Sequence, residues 1–187
     1  MNITGLVLGM AVSLAVPTIA SAQMAGEIYG GVAIEGDADY GGVNFDLDSG
    51  GAFGIGAYYT GFAPIEVGLD IMGTSRDYSG YQSALKSQSV MINGRYVFPL
   101  AGATDAYVGL GIGAIKVKYD GANQFPAFTG DDTVAGGQVA VGARYAFGAA
   151  IGFGELRYQT AFDDADIQGE AVEYDSMSAL VGLRFSF

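Results

Sequence analysis

The sequence predicts an all-β fold in which eight antiparallel strands close into an up-and-down barrel, and three observations lead to this prediction. Apolar and polar residues alternate with a period of two over long stretches, as at Val181 and Leu183 near the C-terminus. The connections between these stretches are alternately short and long. An Arg-aromatic-x-Phe motif recurs at 95–98, 144–147 and 184–187, so each predicted hairpin is one repeating unit.

A cleaved signal peptide is predicted for residues 1–22, ahead of the barrel at 23–187. An apolar stretch over 5–16 precedes residues 20–22, which form an Ala-x-Ala-like cleavage site. The apolar stretch is too short for a comfortable transmembrane helix. We therefore expect one exported domain.

Eight segments carry the alternating pattern. They lie near residues 25–35, 50–60, 64–75, 86–98, 105–119, 133–147, 153–162 and 173–187. The predicted connections are short at 61–63, 99–104 and 148–152, and long and polar at 36–49, 76–85, 120–132 and 163–172. Such alternation is typical of an up-and-down barrel with its long loops at one end.

The composition excludes several classes of site. The 187 residues include 31 Gly but no Cys and no His, and the formal net charge is −12. Without His, a Ser-His-Asp or Cys-His catalytic group cannot form, and zinc, haem or iron–sulfur sites built on Cys and His are excluded. The negative charge disfavours a nucleic-acid partner, because phosphate binding needs a basic surface. No cofactor is expected.

The two faces of the strands differ in chemistry. One face is aliphatic and aromatic, whereas the other combines many Gly with Tyr and charged residues. Nine charged residues are assigned to this second face: Glu27, Glu66, Asp70, Arg95, Asp105, Arg144, Glu155, Arg157 and Arg184. A soluble lipocalin-like barrel would place the apolar face inside, and a membrane barrel would place it outside.

Three features favour the transmembrane barrel over the soluble one, and one of them is that small Gly beside bulky Arg and Tyr is how a narrow interior is filled. Outward aromatic residues gather at the short-turn end, where an interfacial girdle belongs. They are Tyr59, Tyr96, Phe98, Tyr145, Phe147, Phe185 and Phe187. The Arg residues also have acids at matching heights, a regularity that serves a purpose only when the charges are enclosed. Because hydrocarbon leaves no free strand edge, the last strand should pair with the first and bring Arg184 near Glu27.

The pattern resembles the small eight-stranded outer-membrane barrels of Gram-negative bacteria, the OmpA-transmembrane-like and opacity-protein-like porin family, over residues 23–187. The resemblance implies a place in the cell outer membrane, with its lipids and lipopolysaccharide as surroundings. It also implies that Leu183, Phe185 and Phe187 form the signal read by the barrel-assembly machinery. Enzymatic members rely on a His, so we expect no enzyme. We also expect no peptidoglycan-binding domain after Phe187, unlike in full-length OmpA proteins.

The enclosed charges admit two interpretations. The favoured one is a salt-bridged plug that fills the interior and fixes the strand register, because eight strands leave little more than side-chain space. The alternative is a narrow or gated polar conduit.

The rim and the loops suggest two further sites. Lys86, Lys116 and Lys118 cluster and point outward, so they either contact lipopolysaccharide phosphates or snorkel at the interface. Asp164, Asp166 and Asp175 faintly match a calcium loop, but the pattern departs from the motif and no helices flank it, so solvated acidic loops are favoured and no metal is predicted.

The most defensible role is therefore structural: an integral surface protein of the outer membrane with acidic loops. A narrow porin-like channel and adhesion or ligand capture by the loops are the alternatives. The sequence assigns no partner to the loops.

Overall fold

Twelve strands form the described part of the chain, which comprises residues 23–34, 36–40, 43–79, 83–121, 129–167 and 169–187 of a computed structural model. They are β1 (Met24–Ala33), β2 (Gly36–Tyr40), β3 (Val43–Leu47), β4 (Gly50–Phe62), β5 (Ile65–Asp77), β6 (Ser83–Pro99), β7 (Thr104–Gly121), β8 (Thr129–Phe147), β9 (Ala150–Ala161), β10 (Ala165–Ile167), β11 (Glu170–Val172) and β12 (Asp175–Ser186). The predicted signal peptide, residues 1–22, lies outside the described residues.

Eight of these strands close into an antiparallel barrel with the order β1-β12-β9-β8-β7-β6-β5-β4. Closure depends on β1, which pairs with β4 on one side and with β12 on the other. In the β1–β12 ladder Glu27 lies opposite Arg184, as the sequence predicts. The predicted eight-stranded up-and-down barrel is confirmed. Among the described residues, no helix is long and apolar enough to span a membrane.

The outer wall of the barrel is a continuous apolar surface. Leu110, Ile112 and Val181 are each more than 60% exposed, because alternate residues of every barrel strand point outward. A surface of this kind is unfavourable in water and favourable against hydrocarbon chains. This arrangement, with apolar side chains outside rather than inside, is the one that a membrane barrel requires.

The long connections are more ordered than the sequence predicts. The segments 36–49 and 163–172, expected to be polar loops, contain four short strands that pair in the order β10-β11-β2-β3. We call this second sheet the lid. Alternation over three to five residues is too brief to distinguish such strands from loop sequence.

Several barrel strands extend beyond their predicted ends on the long-loop side. β5 runs to Asp77 and β8 begins at Thr129, because backbone pairing continues where side chains are no longer lipid-facing. As a result Arg76, expected in a connection, lies in β5 with its side chain buried inside the barrel.

The barrel interior has two zones. The half near the short turns contains the charged residues described below. The half near the long loops contains an apolar cluster to which both the barrel wall and the lid contribute. Its buried members are Leu47, Tyr78, Leu85, Met91, Ile115, Val117, Tyr119, Ala165, Ile167, Val172 and Tyr174. The inner face is thus polar over only part of its height.

Candidate functional site

The charged interior is built from residues that strand alternation turns inward on six different strands. Eight of the nine charged residues assigned to the inner face meet there, and all eight are buried: Glu27, Glu66, Asp70, Arg95, Arg144, Glu155, Arg157 and Arg184. Four are acids and four are arginines, so the formal charges of this set cancel. Their ion pairs cross the lumen as well as joining neighbouring strands.

Two arginines link three glutamates near the chain termini. Arg95 Nη1 lies 2.7 Å from Glu27 Oε1, and Arg95 Nη2 lies 3.2 Å from Glu155 Oε2. Arg184 donates to Glu27 Oε1 over 2.9 Å and reaches Glu66 with both Nη atoms, at 3.0 and 2.9 Å. Since β1 and β12 are adjacent whereas β6 lies across the barrel, Glu27 ties the closing seam to the opposite wall.

A second group lies deeper in the barrel around Arg157. Its guanidinium contacts Asp70 Oδ1 at 2.7 Å and Glu155 Oε1 at 2.6 Å. Two tyrosines complete the group: Tyr29 donates to Asp70, and Tyr107 donates to Glu155 Oε2 over 2.7 Å. Charge-assisted hydrogen bonds of this kind satisfy the carboxylates that burial would otherwise leave unsolvated.

Aromatic rings separate the arginine side chains. The guanidinium of Arg95 lies 3.9 Å from the ring centroid of Tyr58 and 4.7 Å from that of Tyr107, within cation–π range. In its own hairpin, Tyr58 occupies the position that Arg95 and Arg184 occupy in theirs. One of the four hairpins thus carries at this position an aromatic ring that packs against the cations of two others.

Glycines opposite Tyr29 and Tyr107 make room for their rings. Tyr29 lies across from Gly54 and Gly182, and Tyr107 lies across from Gly142. A Cβ added at Gly142 would lie 2.4 Å from Tyr107 Cζ. The high glycine content of the inner face therefore serves packing.

A chain of amides crosses the interior above the charges. Gln138 Nε2 donates to Asn93 Oδ1 over 2.6 Å, and Gln159 Nε2 donates to Gln138 Oε1 over 2.8 Å and to Ser89 Oγ over 2.9 Å. This chain of amides was not predicted from the sequence. The period-two alternation places all three amide residues on the inner face, and this could have predicted their contact.

Two other inward residues differ from the expected network. Asp105 lies opposite Arg144 in the β7–β8 ladder, but it is only half-buried and forms none of the ion pairs within the described residues. Arg144 instead contacts Glu66 Oε1 at 3.1 Å. Arg76, which was not predicted to point inward, donates from Nη2 to the backbone carbonyl of Asp175 over 2.6 Å.

The predicted outer aromatics lie at the short-turn end. Tyr96 and Phe98 pack at 4.7 Å between ring centroids, and Tyr59 packs against Phe62 at 4.9 Å. Tyr145, Phe147, Phe185, Phe187 and Leu183 are exposed on the outer wall.

The three lysines point outward at the long-loop end, as their parity predicts. Lys86 pairs with Asp120 at 2.7 Å and Lys116 with Asp131 at 2.8 Å. Lys118 lies opposite Lys86 and Asp131 in the two neighbouring ladders.

The three residues of the faint calcium motif lie apart in secondary structure. Asp164 precedes β10, Asp166 lies within it, and Asp175 begins β12. Asp166 accepts a hydrogen bond from the backbone of Gly169 over 2.7 Å, and its own backbone N–H donates to Asp132. The described residues contain no group of three or more Asp, Glu, Cys or His placed to hold a metal ion.

Three solved structures with similar folds are distant from this chain in sequence. The chain resembles Neisserial surface protein A with a TM-score of 0.64 and 16% identity, covering 88% of this chain and 97% of that one. It resembles OprG from Pseudomonas aeruginosa with a TM-score of 0.60 and 19% identity, covering 87% and 95%. It resembles Ail, the attachment invasion locus protein of Yersinia pestis, with a TM-score of 0.51 and 17% identity, covering 87% and 99%.

The family assignment comes from the sequence. No curated protein matches the chain significantly. The model of the outer membrane protein β-barrel domain, in contrast, matches residues 7–185. Together with the closed eight-stranded barrel and its apolar outer wall, this match places the protein in the outer membrane of a Gram-negative bacterium. The chain belongs to the outer membrane protein β-barrel domain family.

Proposed function

We propose that this protein is a non-conducting, non-catalytic structural protein of the outer membrane, whose filled barrel anchors a folded acidic surface outside the cell. The observation that carries the proposal is the balanced set of four buried acids and four buried arginines across the lumen. Its side chains occupy the space that a conduit would need, since an eight-stranded barrel has an interior of about side-chain width.

The energetics of the network favour a permanent plug. Opening a path would require breaking ion pairs such as Arg157–Asp70, whose side chains are at most 1% exposed. Leaving one partner of a buried pair uncompensated costs about 3–5 kcal/mol. Arg95 and Arg157 each hold two acids, so these costs are coupled across the lumen.

The lid also favours a non-conducting barrel. Leu47, Ile167 and Val172 from lid strands pack into the apolar cluster that fills the upper interior. An ion entering from outside would meet this apolar layer before the charged network. The channel alternative would need both layers to move.

Efflux from proteoliposomes tests this proposal. Vesicles containing the mature barrel and loaded with potassium chloride and a small fluorophore should release both at the rate of protein-free vesicles. A general porin, reconstituted at the same density, provides the positive control. Release well above the protein-free rate would contradict the proposal.

Recognition of a partner by the loops is the second candidate function. The observation that favours it is a group of exposed acids at the β10–β11 hairpin of the lid: Asp166 and Glu170 lie on its strands, and Asp163, Asp164 and Glu173 flank them. A barrel in which 163–173 is replaced by a short Gly/Ser link, compared with the native protein for adherence of intact cells to host cells or surfaces, tests this role. Equal adherence would exclude a contribution from this segment.

A further inference from the structure

A groove runs along the outer wall where β4, β5 and β6 meet. Phe53 lies opposite Gly73, and Gly73 lies opposite Gln88 in the next ladder. Because Gly73 has no side chain, the Phe53 ring lies over it, 3.2 Å from where a Cβ would be. The groove has a volume of about 410 Å³ at its outer end and about 490 Å³ where it continues along Ile71 and Val90.

The outer end of the groove is cationic. Lys86, Lys116 and Lys118, which are all the lysines of the sequence, border it together with Asp131. Their ion pairs with Asp120 and Asp131 are nearly half exposed, and exposed pairs are weak and readily exchanged for another anion. Three lysines against two aspartates leave a local positive charge on a chain whose net charge is −12.

The height of the lysines matches the outer boundary of the bilayer. Lys86 and Tyr96 lie ten residues apart on β6. This separation is about 34 Å along a strand and about 26 Å along the axis of a barrel whose strands tilt by about 40°. The apolar band of such barrels is about 25 Å tall. With Tyr96 at the inner interface, Lys86 lies at the level of outer-leaflet headgroups.

We propose that this groove binds lipopolysaccharide through its lipid A. One phosphate lies among the three lysines, and one acyl chain runs between Phe53 and Val90. The argument rests on the continuity of the two parts, which share Phe53, Gly73 and Gln88, so that a cationic end and an apolar end form a single groove. An outer-leaflet lipid with a phosphorylated headgroup and acyl chains has this distribution of chemistry.

Binding of purified lipids to the detergent-solubilised mature barrel, measured by native mass spectrometry, tests the proposal. The probes are bisphosphorylated lipid A, monophosphoryl lipid A and phosphatidylglycerol. We expect one molecule of bisphosphorylated lipid A to bind about tenfold or more tightly than phosphatidylglycerol, with the monophosphoryl form between them. Equal affinity for phosphatidylglycerol would show ordinary lipid contact and overturn the proposal.

Changes at the cationic end test the phosphate contact. Joint replacement of Lys86, Lys116 and Lys118 by Gln should weaken lipid A binding about tenfold or more, and Lys118→Gln alone should weaken it in part. Asp131→Asn removes a competing carboxylate and should strengthen binding. Unchanged affinity in the triple variant, with heat-modifiable migration showing a folded barrel, would overturn the proposal.

Changes at the apolar end test the acyl-chain contact. Gly73→Leu fills the groove beneath Phe53 and should weaken lipid A binding. Gly154→Leu is the matched control, because Gly154 faces outward on the opposite wall and a Cβ there meets only the Leu180 carbonyl oxygen, at 4.0 Å. Equal affinity in the two glycine variants would show that the groove holds no acyl chain.

Discussion

The arginines of the charged interior do not all hold the same number of acids, and this difference sets what the loss of each should cost. Arg157 contacts Asp70 and Glu155 and donates to Tyr29 over 2.9 Å. Arg144 contacts only Glu66 among the acids of the described residues, and its Nε and Nη2 have no hydrogen-bond partner there. Removing an arginine is costly in proportion to the acids that it leaves uncompensated.

We therefore predict that Arg157→Met lowers the free energy of unfolding by about 3–5 kcal/mol. Arg144→Met should cost less than about 2 kcal/mol, because Glu66 keeps both hydrogen bonds from Arg184. Urea unfolding of the barrel in lipid vesicles, followed by tyrosine fluorescence, measures both values. Equal losses in the two variants would contradict the partner-count argument.

Replacing an inward glycine and an outward glycine by Val should have different effects on stability. Gly142→Val would drive its Cβ into Tyr107, which holds Glu155, so it should destabilise the barrel by about 1–3 kcal/mol. Gly154→Val has open space around it and should be neutral or slightly stabilising in the same unfolding assay. Destabilisation by Gly154→Val would show that the barrel wall requires glycine for its backbone flexibility rather than to make room for tyrosine rings.

Parity along each strand was enough to predict which charged residues point inward. Arg76 and the amides of Asn93, Gln138 and Gln159 lie on the same inner face, but the prediction covered only charged residues, and Arg76 lay outside the predicted strands. Which residues pair across the lumen, as Arg95 does with Glu27, depends on side-chain length and barrel diameter. The alternation of residues along a strand gives no information on either.

Among the elements, the lid depends on a few apolar side chains. Ile167 of β10 is 1% exposed within the upper cluster, whereas Ala171 of β11 is exposed on the same small hairpin. We predict that Ile167→Asn loosens the lid by about 3 kcal/mol and speeds cleavage of 163–174 by added protease, with the barrel intact. Ala171→Asn should leave the cleavage rate unchanged. Equal cleavage of both variants would mean that the lid does not pack on the barrel.

The closing strand is the element on which assembly should depend. Phe187 exchanges backbone hydrogen bonds with Met24 at 2.9 and 3.2 Å, and these survive Phe187→Ala. If its side chain is read by the barrel-assembly machinery, this variant should accumulate poorly in the outer membrane yet lose only about 1 kcal/mol of stability after refolding. Phe98→Ala is the control, since Phe98 is 43% exposed and Phe187 is 48% exposed at the same interface. Equal cellular levels of the two variants would argue against a terminal signal.

Long strands could be predicted and short ones could not. Eight barrel strands alternate over enough residues to reveal a period of two, whereas β10 and β11 have only three residues each. The lid strands also pair between distant connections, as Val172 does with Tyr40, and nothing local signals such pairing.

For the molecule as a whole, charge is sorted by location. The network of four acids and four arginines is neutral, Arg76 adds one buried cation nearer the long loops, the lysines lie at the outer rim, and exposed acids remain on the lid side. Apart from Asp105, the acids of the described residues that lie outside the network are at the long-loop end, and the apolar wall anchors that end at the membrane. Under the proposed function, this barrel holds a surface in place and passes nothing through its lumen.

Single-channel recording in planar bilayers tests that claim most directly. At high salt and over a wide voltage range, the inserted wild-type barrel should show no steady conductance steps, because the charged network and the lid both fill the lumen. Insertion is verified independently by protease accessibility of the lid. Steady steps in the wild type that Arg144→Ala abolishes would contradict the account, because the interior arginines would then line a conducting path.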